Sequence, residues 1–316
     1  MTVRSASSTA ALLLVQRLVD TPAAPLKASE YWSVLEAGDP ARLLGAPSSE
    51  IADVLGADRP FADRVAGLLG AATAFAFALE ELEQSGIRLV GSLDDGYPSS
   101  LRDRLGRAAP PLLYAAGDVG LLGGDLLGIV GSRDVGPDGA ALAKAAAVLA
   151  VEHGAGVVSG GAKGVDRLAM TAALDGGGPV VAVLAGALLT TLRDPDVRRA
   201  VGEGTLCVCI PYKPTAGFTV ANAMGRNKLV YALSRATLVV AADAETGGTW
   251  AGAVEALERR IAPVLVWSGS GAPAGNALLA ARGALAVADI AGLFPWPRAE
   301  QQGPASGGRR QLAFDV

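Results

Sequence analysis

One histidine and two cysteines among 316 residues leave this chain little with which to build catalysis or a metal site. Histidine is the side chain that titrates near neutral pH and the commonest metal ligand. The only one, His153, precedes Gly154 at the end of a helical pattern, a position suited to a helix C-terminus. Cys207 and Cys209 are one residue apart inside the apolar run 205–211. Strand positions two apart share a face, so both read as small core hydrophobes. No H-E-x-x-H, P-loop or zinc-ligand spacing occurs. The expectation is a protein without catalytic residues, metal or cofactor, and not an enzyme. A chain so poor in cysteine has no disulfide framework, and the cytoplasm is the expected compartment.

Positive charge is also in short supply. The chain carries 27 basic and 31 acidic residues, a formal net charge of −4, with a pI near 5.2. Proteins that coat nucleic acid through bulk charge lie on the other side of neutrality. The deficit is local, however. Residues 1–85 hold six basic and eleven acidic residues, whereas residues 86–295 hold 18 of each. A neutral segment can still present a small basic pocket, so broad electrostatic coating is excluded and a compact, salt-sensitive site is not.

Long hydrophobic runs are missing too, although the mean hydropathy is +0.37. The longest uncharged apolar run, 65–79, has 15 residues, mostly Ala and Gly, between Arg64 and Glu80. A membrane span needs about 20 predominantly apolar residues. The run reads as a buried helix, and no membrane partner is expected. Near the N-terminus the apolar stretch 11–15 is short and has no clear cleavage site, so no signal peptide is expected.

What the chain does have is 41 glycines, 18 prolines and a hydrophobic fraction of 51%, ample for a core. Three regions follow. Residues 1–85 lack strand signals and read as short helices punctuated by Pro22, Pro25, Pro40, Pro47 and Pro60. Residues 86–294 alternate short β-rich apolar runs with Ala-rich helical patterns. Strands are expected at 87–90, 126–131, 156–159, 180–184, 206–210, 238–242 and 264–267. Helices are expected at 139–153, 165–175, 194–202, 221–234 and 250–260. This alternation specifies an α/β fold, Rossmann-like and doubly wound, with a mostly parallel sheet and ligands at the carboxyl ends of its strands. Residues 295–316 are rich in Pro, Gly and polar residues and read as a flexible tail, whose end QLAFDV could be a docking peptide.

Four segments could carry chemistry. The strand 126–131 ends in Gly131-Ser132-Arg133, where glycine permits close backbone approach and the guanidinium suits a phosphate. The strand 156–159 ends in Ser159-Gly160-Gly161-Ala162-Lys163-Gly164-Val165-Asp166, a phosphate-sized cradle in which Asp166 either caps the next helix or meets a ligand. Lys163 is one of only five lysines, against 22 arginines. A helical pattern carries Arg226-Asn227-Lys228, either a solvated face or a cationic contact. After the strand 238–242, Gly247-Gly248-Thr249 opens a further helix. Together the four point to a polyanion or nucleotide site.

The order of these pieces resembles the DNA-processing protein A (DprA/Smf) family. It is carried by GIRLVGSLDDGYPSSLRDRLGRAAPPLLYAAGD (86–118), GIVGSRDVGPDG (128–139), VVSGGAKGVDRLAMTAALDGGGPVVAVLAGAL (157–188) and GRNKLVYALSRATLVVAADAETGGTWAGAVEALERRIAPVLVWSG (225–269). The resemblance implies an extended Rossmann fold that binds single-stranded DNA, protects it and loads the RecA recombinase in natural transformation, acting as a homodimer. It assigns DNA contact to Arg133 and Lys163, and matches Arg226 and Asn227 to an Arg-Asn pair and Gly247, Gly248 and Thr249 to a Gly/Ser-rich turn. Two departures stand out: Ala169-Met170 replaces the usual Ala-His pair, and the last turn reads Thr-Gly-Gly-Thr-Trp. Alternatives are a divergent member in a phage-defence or toxin–antitoxin system, and a nucleotide-binding protein of the LOG type. The LOG motif places a Glu three residues after its Thr; here Glu255 follows Thr249 by six, which turns it to another helix face.

Overall fold

The computed structural model describes residues 4–296, which gather into two compact units. The smaller holds residues 4–97 and 105–115; the larger holds 98–104 and 116–296. From residue 297 on, the expected tail and its QLAFDV peptide lie outside the described residues.

Five helices build most of the smaller unit: α1 (Ala6–Val15), α2 (Ala28–Ala37), α3 (Ser48–Leu55), α4 (Arg59–Leu69) and α5 (Ala72–Gln84). Their starts sit at the sequence's punctuation. Ser5 caps α1 by accepting from the Ser8 N–H, and Pro47 precedes α3. Asp58 caps α4, with Pro60 in its first turn, where a missing N–H is tolerated. Arg64 on α4 donates to both carboxylate oxygens of Glu30 at 2.9 and 3.1 Å and to the carbonyls of Ala24 and Pro25. The segment leading into α2 is thereby fastened to α4. An antiparallel pair, β1 (Arg88–Gly91) and β2 (Leu112–Ala116), sets Leu89 opposite Tyr114.

The apolar run 65–79 does not form one buried helix. It breaks at Gly70 and Ala71, α4 and α5 are bent by 51°, and Phe77 is 71% exposed. Alanine raises mean hydropathy while alanine and glycine alike offer little side-chain area to bury, so composition overstated the packing. Among the described residues no single helix is long and apolar enough to cross a membrane, although α4 and α5 pass that test as a bent pair.

The larger unit begins with α6 (Ser99–Leu105) and then alternates. Its further elements are β3 (Leu126–Gly131), α7 (Pro137–Glu152), β4 (Gly156–Ser159), α8 (Val165–Asp175), β5 (Val180–Val183), α9 (Leu188–Thr191), α10 (Pro195–Gly202), β6 (Leu206–Ile210), α11 (Val220–Leu233), β7 (Ala236–Ala241), α12 (Gly247–Glu258), β8 (Val264–Trp267), α13 (Ala274–Ala281) and β9 (Leu285–Val287). The strands run parallel in the order β6-β5-β4-β3-β7-β8-β9. This is the expected Rossmann-like α/β fold. Strands β4, β5 and β6 are buried at every position, as helices covering both faces require.

Small residues set the helix packing. Along α7, Leu142, Ala143, Ala146, Ala147 and Ala150 are buried, and along α8, Val165, Ala169 and Ala173, stripes with the helical period. Cys207 and Cys209 are buried on β6, opposite Val181 and Val183 of β5, and neither is in a disulfide. Burial pushes the Cys209 thiol well above its ordinary pKa. Sequence patterning missed β2, β9, α6, α9 and α13. Pro110 and Pro111 disguise the entry to β2, and β9 is short, with Ala286 exposed.

From β3 the chain steps outward through β4, β5 and β6, then returns to the other side of β3 as β7. The strand order reverses between β3 and β7, and a crevice at the carboxyl ends of such a pair is where doubly wound sheets hold ligands.

Candidate functional site

A cleft of about 510 Å³ opens at that reversal point. The turn after β3 supplies Gly131, Ser132 and Arg133; the end of β7 supplies Ala241; the first turn of α12 supplies Gly247, Gly248 and Thr249. Much of the remaining wall comes from α11 and the residue before its cap, among them Phe218, Val220, Met224, Arg226, Asn227 and Tyr231, and three acidic residues, Asp134, Asp166 and Asp243, also line the cleft.

Beneath the cleft lies a buried ion pair. Arg226 and Asp166 are each about 5% exposed, with Arg226 Nη1 3.9 Å from Asp166 Oδ2. Asp166 does not cap α8. Its carboxylate accepts the Gly160 N–H at 3.1 Å, closing the loop 160–164 on itself. Burial pushes its carboxyl above the ordinary range, opposed by Arg226 and by the backbone N–H groups of Ala162, Gly160 and Gly131. Burial draws the Arg226 guanidinium down, offset by Asp166 and reinforced by the like charge of Arg133. Arg226 Nε and the Tyr231 hydroxyl, both buried, have no hydrogen-bond partner among the described residues. Unpaired buried polar atoms are costly, and these two belong to residues that line the cleft.

The loops meet only because glycine stands at the contacts. At Gly164, where φ is +85°, an added Cβ would lie 2.4 Å from the Ser132 carbonyl oxygen. The turns after β3 and β4 are therefore pressed together, backbone on backbone. Across the cleft, Asn227 Nδ2 donates to the Gly248 carbonyl at 3.1 Å, tying α11 to the start of α12. Thr246 makes no side-chain cap there, which leaves the first-turn N–H groups of a twelve-residue helix facing the cleft, a geometry that favours anions.

Nine of the fourteen residues singled out in the sequence line this cleft: Gly131, Ser132, Arg133, Asp166, Arg226, Asn227, Gly247, Gly248 and Thr249. Five do not. Ser159 is fully buried and its hydroxyl donates to the Ile129 carbonyl at 2.6 Å, so it knits β4 to β3 and cannot cradle a phosphate. Gly160 makes room for Arg226, and Gly164 for the β3 turn. Lys163 is exposed on its loop, and Lys228 is half-buried on α11, both outside the lining. The solvated-face reading of 226–228 fails at Arg226, which points into the protein. The glycines 247 and 248 form the first turn of α12 rather than a loop before it.

Phe218, Met224 and Tyr231 were missed. Tyr231 and Met224 share the helical pattern of core residues and carry no local signal. Phe218 had one: an aromatic in the otherwise irregular stretch PYKPTAGFT.

The chain as a whole is similar to known proteins. A family model described as DNA recombination-mediator protein A matches residues 88–294. The chain belongs to that family. Two relatives are similar in sequence. The putative DNA processing protein DprA of Mycobacterium tuberculosis is 31% identical over 274 residues, covering 79% of this chain and 65% of the relative. The DNA processing protein DprA of Streptococcus pneumoniae is 31% identical over 157 residues, covering 49% of this chain and 54% of the relative. The chain thus spans less than two thirds of the length of either. The X-ray structure of the pneumococcal DNA processing protein A matches with a TM-score of 0.68 at 25% identity, over 86% of this chain and 93% of that one. The Helicobacter pylori DNA processing protein A, whose structure concerns its single-stranded DNA binding mode, matches with a TM-score of 0.53 at 22% identity, over 65% of this chain and 93% of that one. The latter shares the fold.

Proposed function

We propose that this DprA-family protein binds single-stranded DNA by its phosphate backbone at the reversal-point cleft. We further propose that it acts as a recombination mediator, protecting the strand and loading RecA as a cytoplasmic homodimer without catalysing a reaction. The observation that carries this reading is the convergence, on one cleft, of Arg133, a buried Arg226 and the uncapped first turn of α12. Fixed cations and backbone N–H groups grip phosphates without reading sequence. Lys163, exposed on the neighbouring loop, extends the basic track beyond the cleft, and Asn227 keeps its walls at a fixed spacing. A hydrolytic nucleotide reading finds no support at Glu255, which pairs with Arg259 at 2.9 Å along the surface of α12.

The test is equilibrium binding of a single strand over a series of salt concentrations. Affinity is expected to fall steeply with salt through counterion release. No binding at low salt overturns the proposal. Sedimentation of the free protein tests the homodimer, and strand exchange by a recombinase on coated DNA tests loading.

A further inference from the structure

Helix α11 joins the cleft to a second, smaller concavity. Its fourteen residues run from Val220, in the cleft wall, to Leu233, beside this pocket, a span of about 21 Å. The pocket sits at the amino ends of β3 and β7, opposite the strand ends that hold the cleft. It encloses about 210 Å³ among residues 98–100, Arg104, residues 122–124, Leu233 and Arg235. All of these belong to the larger unit. Leu122 and Leu233 are buried and give it an apolar side.

Two guanidinium groups share this space. Arg104, on α6, donates through Nη1 alone, to the carbonyls of Tyr231, Ala232 and Ser234 at the end of α11. Its Nε and Nη2 are uncommitted among the described residues. Arg235 is fixed by its backbone N–H, which donates to the Leu126 carbonyl at 2.8 Å. Its Nε meets Asp125 Oδ1 at 2.6 Å, which leaves its two terminal nitrogens free to donate. Burial draws the Arg104 guanidinium down from its ordinary range, and the like charge of Arg235 adds to this against an opposite pull from Asp103. Neither Asp103 nor Asp125 lines the pocket, whereas Ser99 and Ser100 do. Two cations beside an apolar wall repel each other, and a divalent anion between them would relieve that repulsion.

We infer that this pocket is a second oxyanion site, built for a free or terminal phosphate group. Guanidinium forks bind phosphate oxygens through paired, charge-assisted hydrogen bonds, and the serine hydroxyls supply neutral donors to the remaining oxygens. The volume lies below the roughly 300–1,000 Å³ of pockets that enclose whole organic ligands, so the phosphate enters and whatever carries it stays outside. Because Arg104 also holds the last carbonyls of α11, the ligand would bind at the foot of the helix whose other end lines the cleft. The site is separate from the cleft and does not depend on how the cleft is read.

The experiment titrates inorganic phosphate into the full chain by isothermal calorimetry, in a low-salt buffer free of other oxyanions. Arg235→Gln is the informative variant, because it removes one cation and only an exposed ion pair, whose loss costs folding little. It is expected to weaken one phosphate-binding event at least about tenfold. Arg235→Lys, which keeps the charge and loses the fork, should weaken it less, and Arg133→Ala, in the cleft, should leave that event in place. Unchanged thermal unfolding of the phosphate-free variants shows that the fold is intact. Absence of phosphate binding by the wild type, or binding left unchanged by Arg235→Gln, overturns the inference. A phosphate-binding event lost only in Arg133→Ala belongs to the cleft and overturns it too. Thymidine strands with and without a 5′-phosphate then identify the source. Tighter binding of the phosphorylated strand, abolished by Arg235→Gln, assigns the site to strand ends; equal binding of both, with inorganic phosphate bound as expected, assigns it to a small phosphate.

Discussion

Gly160 and Arg226 exclude any side chain between them: an added Cβ on Gly160 would lie 1.4 Å from Arg226 Nη1. The guanidinium occupies the space a side chain would need, and the Gly160 N–H is held by Asp166. One glycine thus allows a buried cation, its counter-charge and a strand–helix loop to share one place. Gly160→Ala is expected to lower unfolding free energy by about 1–3 kcal/mol, as overpacking of a filled site does. It should also weaken DNA binding by displacing Arg226. Urea unfolding and strand-binding isotherms on the same preparation check both; unchanged stability would sink the argument.

Arg133 and Lys163 are exposed cations on neighbouring loops. If each contacts a phosphate, Arg133→Ala and Lys163→Ala should each reduce the slope of log affinity against log salt by about 0.7. Lys144, exposed on α7 and outside the cleft lining, provides the comparison, and Lys144→Ala should leave the slope unchanged. Three equal slopes would remove the cleft from the binding surface.

Asp166 makes stability depend on pH in an unusual direction for a carboxylate. Burial, its largest influence, raises its folded pKa above the ordinary 3.8. The folded state therefore takes up this proton more readily than the unfolded chain. The resulting stabilisation is fully present below the unfolded value and is lost as pH rises through the folded value. Measured by urea unfolding in the acidic window above 3.8, the stability of the wild type relative to Asp166→Asn should decline as pH rises. A difference that grows with pH would mean that Arg226 outweighs burial.

Asn276, 1% exposed on α13, accepts the Ala242 N–H at 3.0 Å and donates to the Val240 and Trp267 carbonyls at 3.0 and 2.8 Å. It joins the ends of β7 and β8 next to the cleft wall. Asn276→Ala removes three hydrogen bonds to the backbone, two of them buried, and should cost about 2–4 kcal/mol. The salt slope of DNA binding should not change. Calorimetric unfolding together with binding separates the two effects.

The sequence by itself determined the alternating α/β fold, the strand-end turns and much of the site. Both-face burial of parallel strands writes continuous apolar runs, and glycine-rich strand–helix turns are local in the chain; Gly131-Ser132-Arg133 and Gly247-Gly248-Thr249 could be read where they stand. Only tertiary structure decided which side chains serve the cleft. Ser159 and Asp166 lie seven residues apart on one promising loop, yet the hydroxyl turns to the Ile129 carbonyl while the carboxylate meets Arg226, sixty residues further on. Phe218 and Tyr231 enter the site because the chain crosses back over β3 to form β7. Hydropathy pattern records whether a residue can be buried. It does not record which strand ends become neighbours, and that adjacency alone turns an exposed phenylalanine and a buried arginine into parts of one cleft.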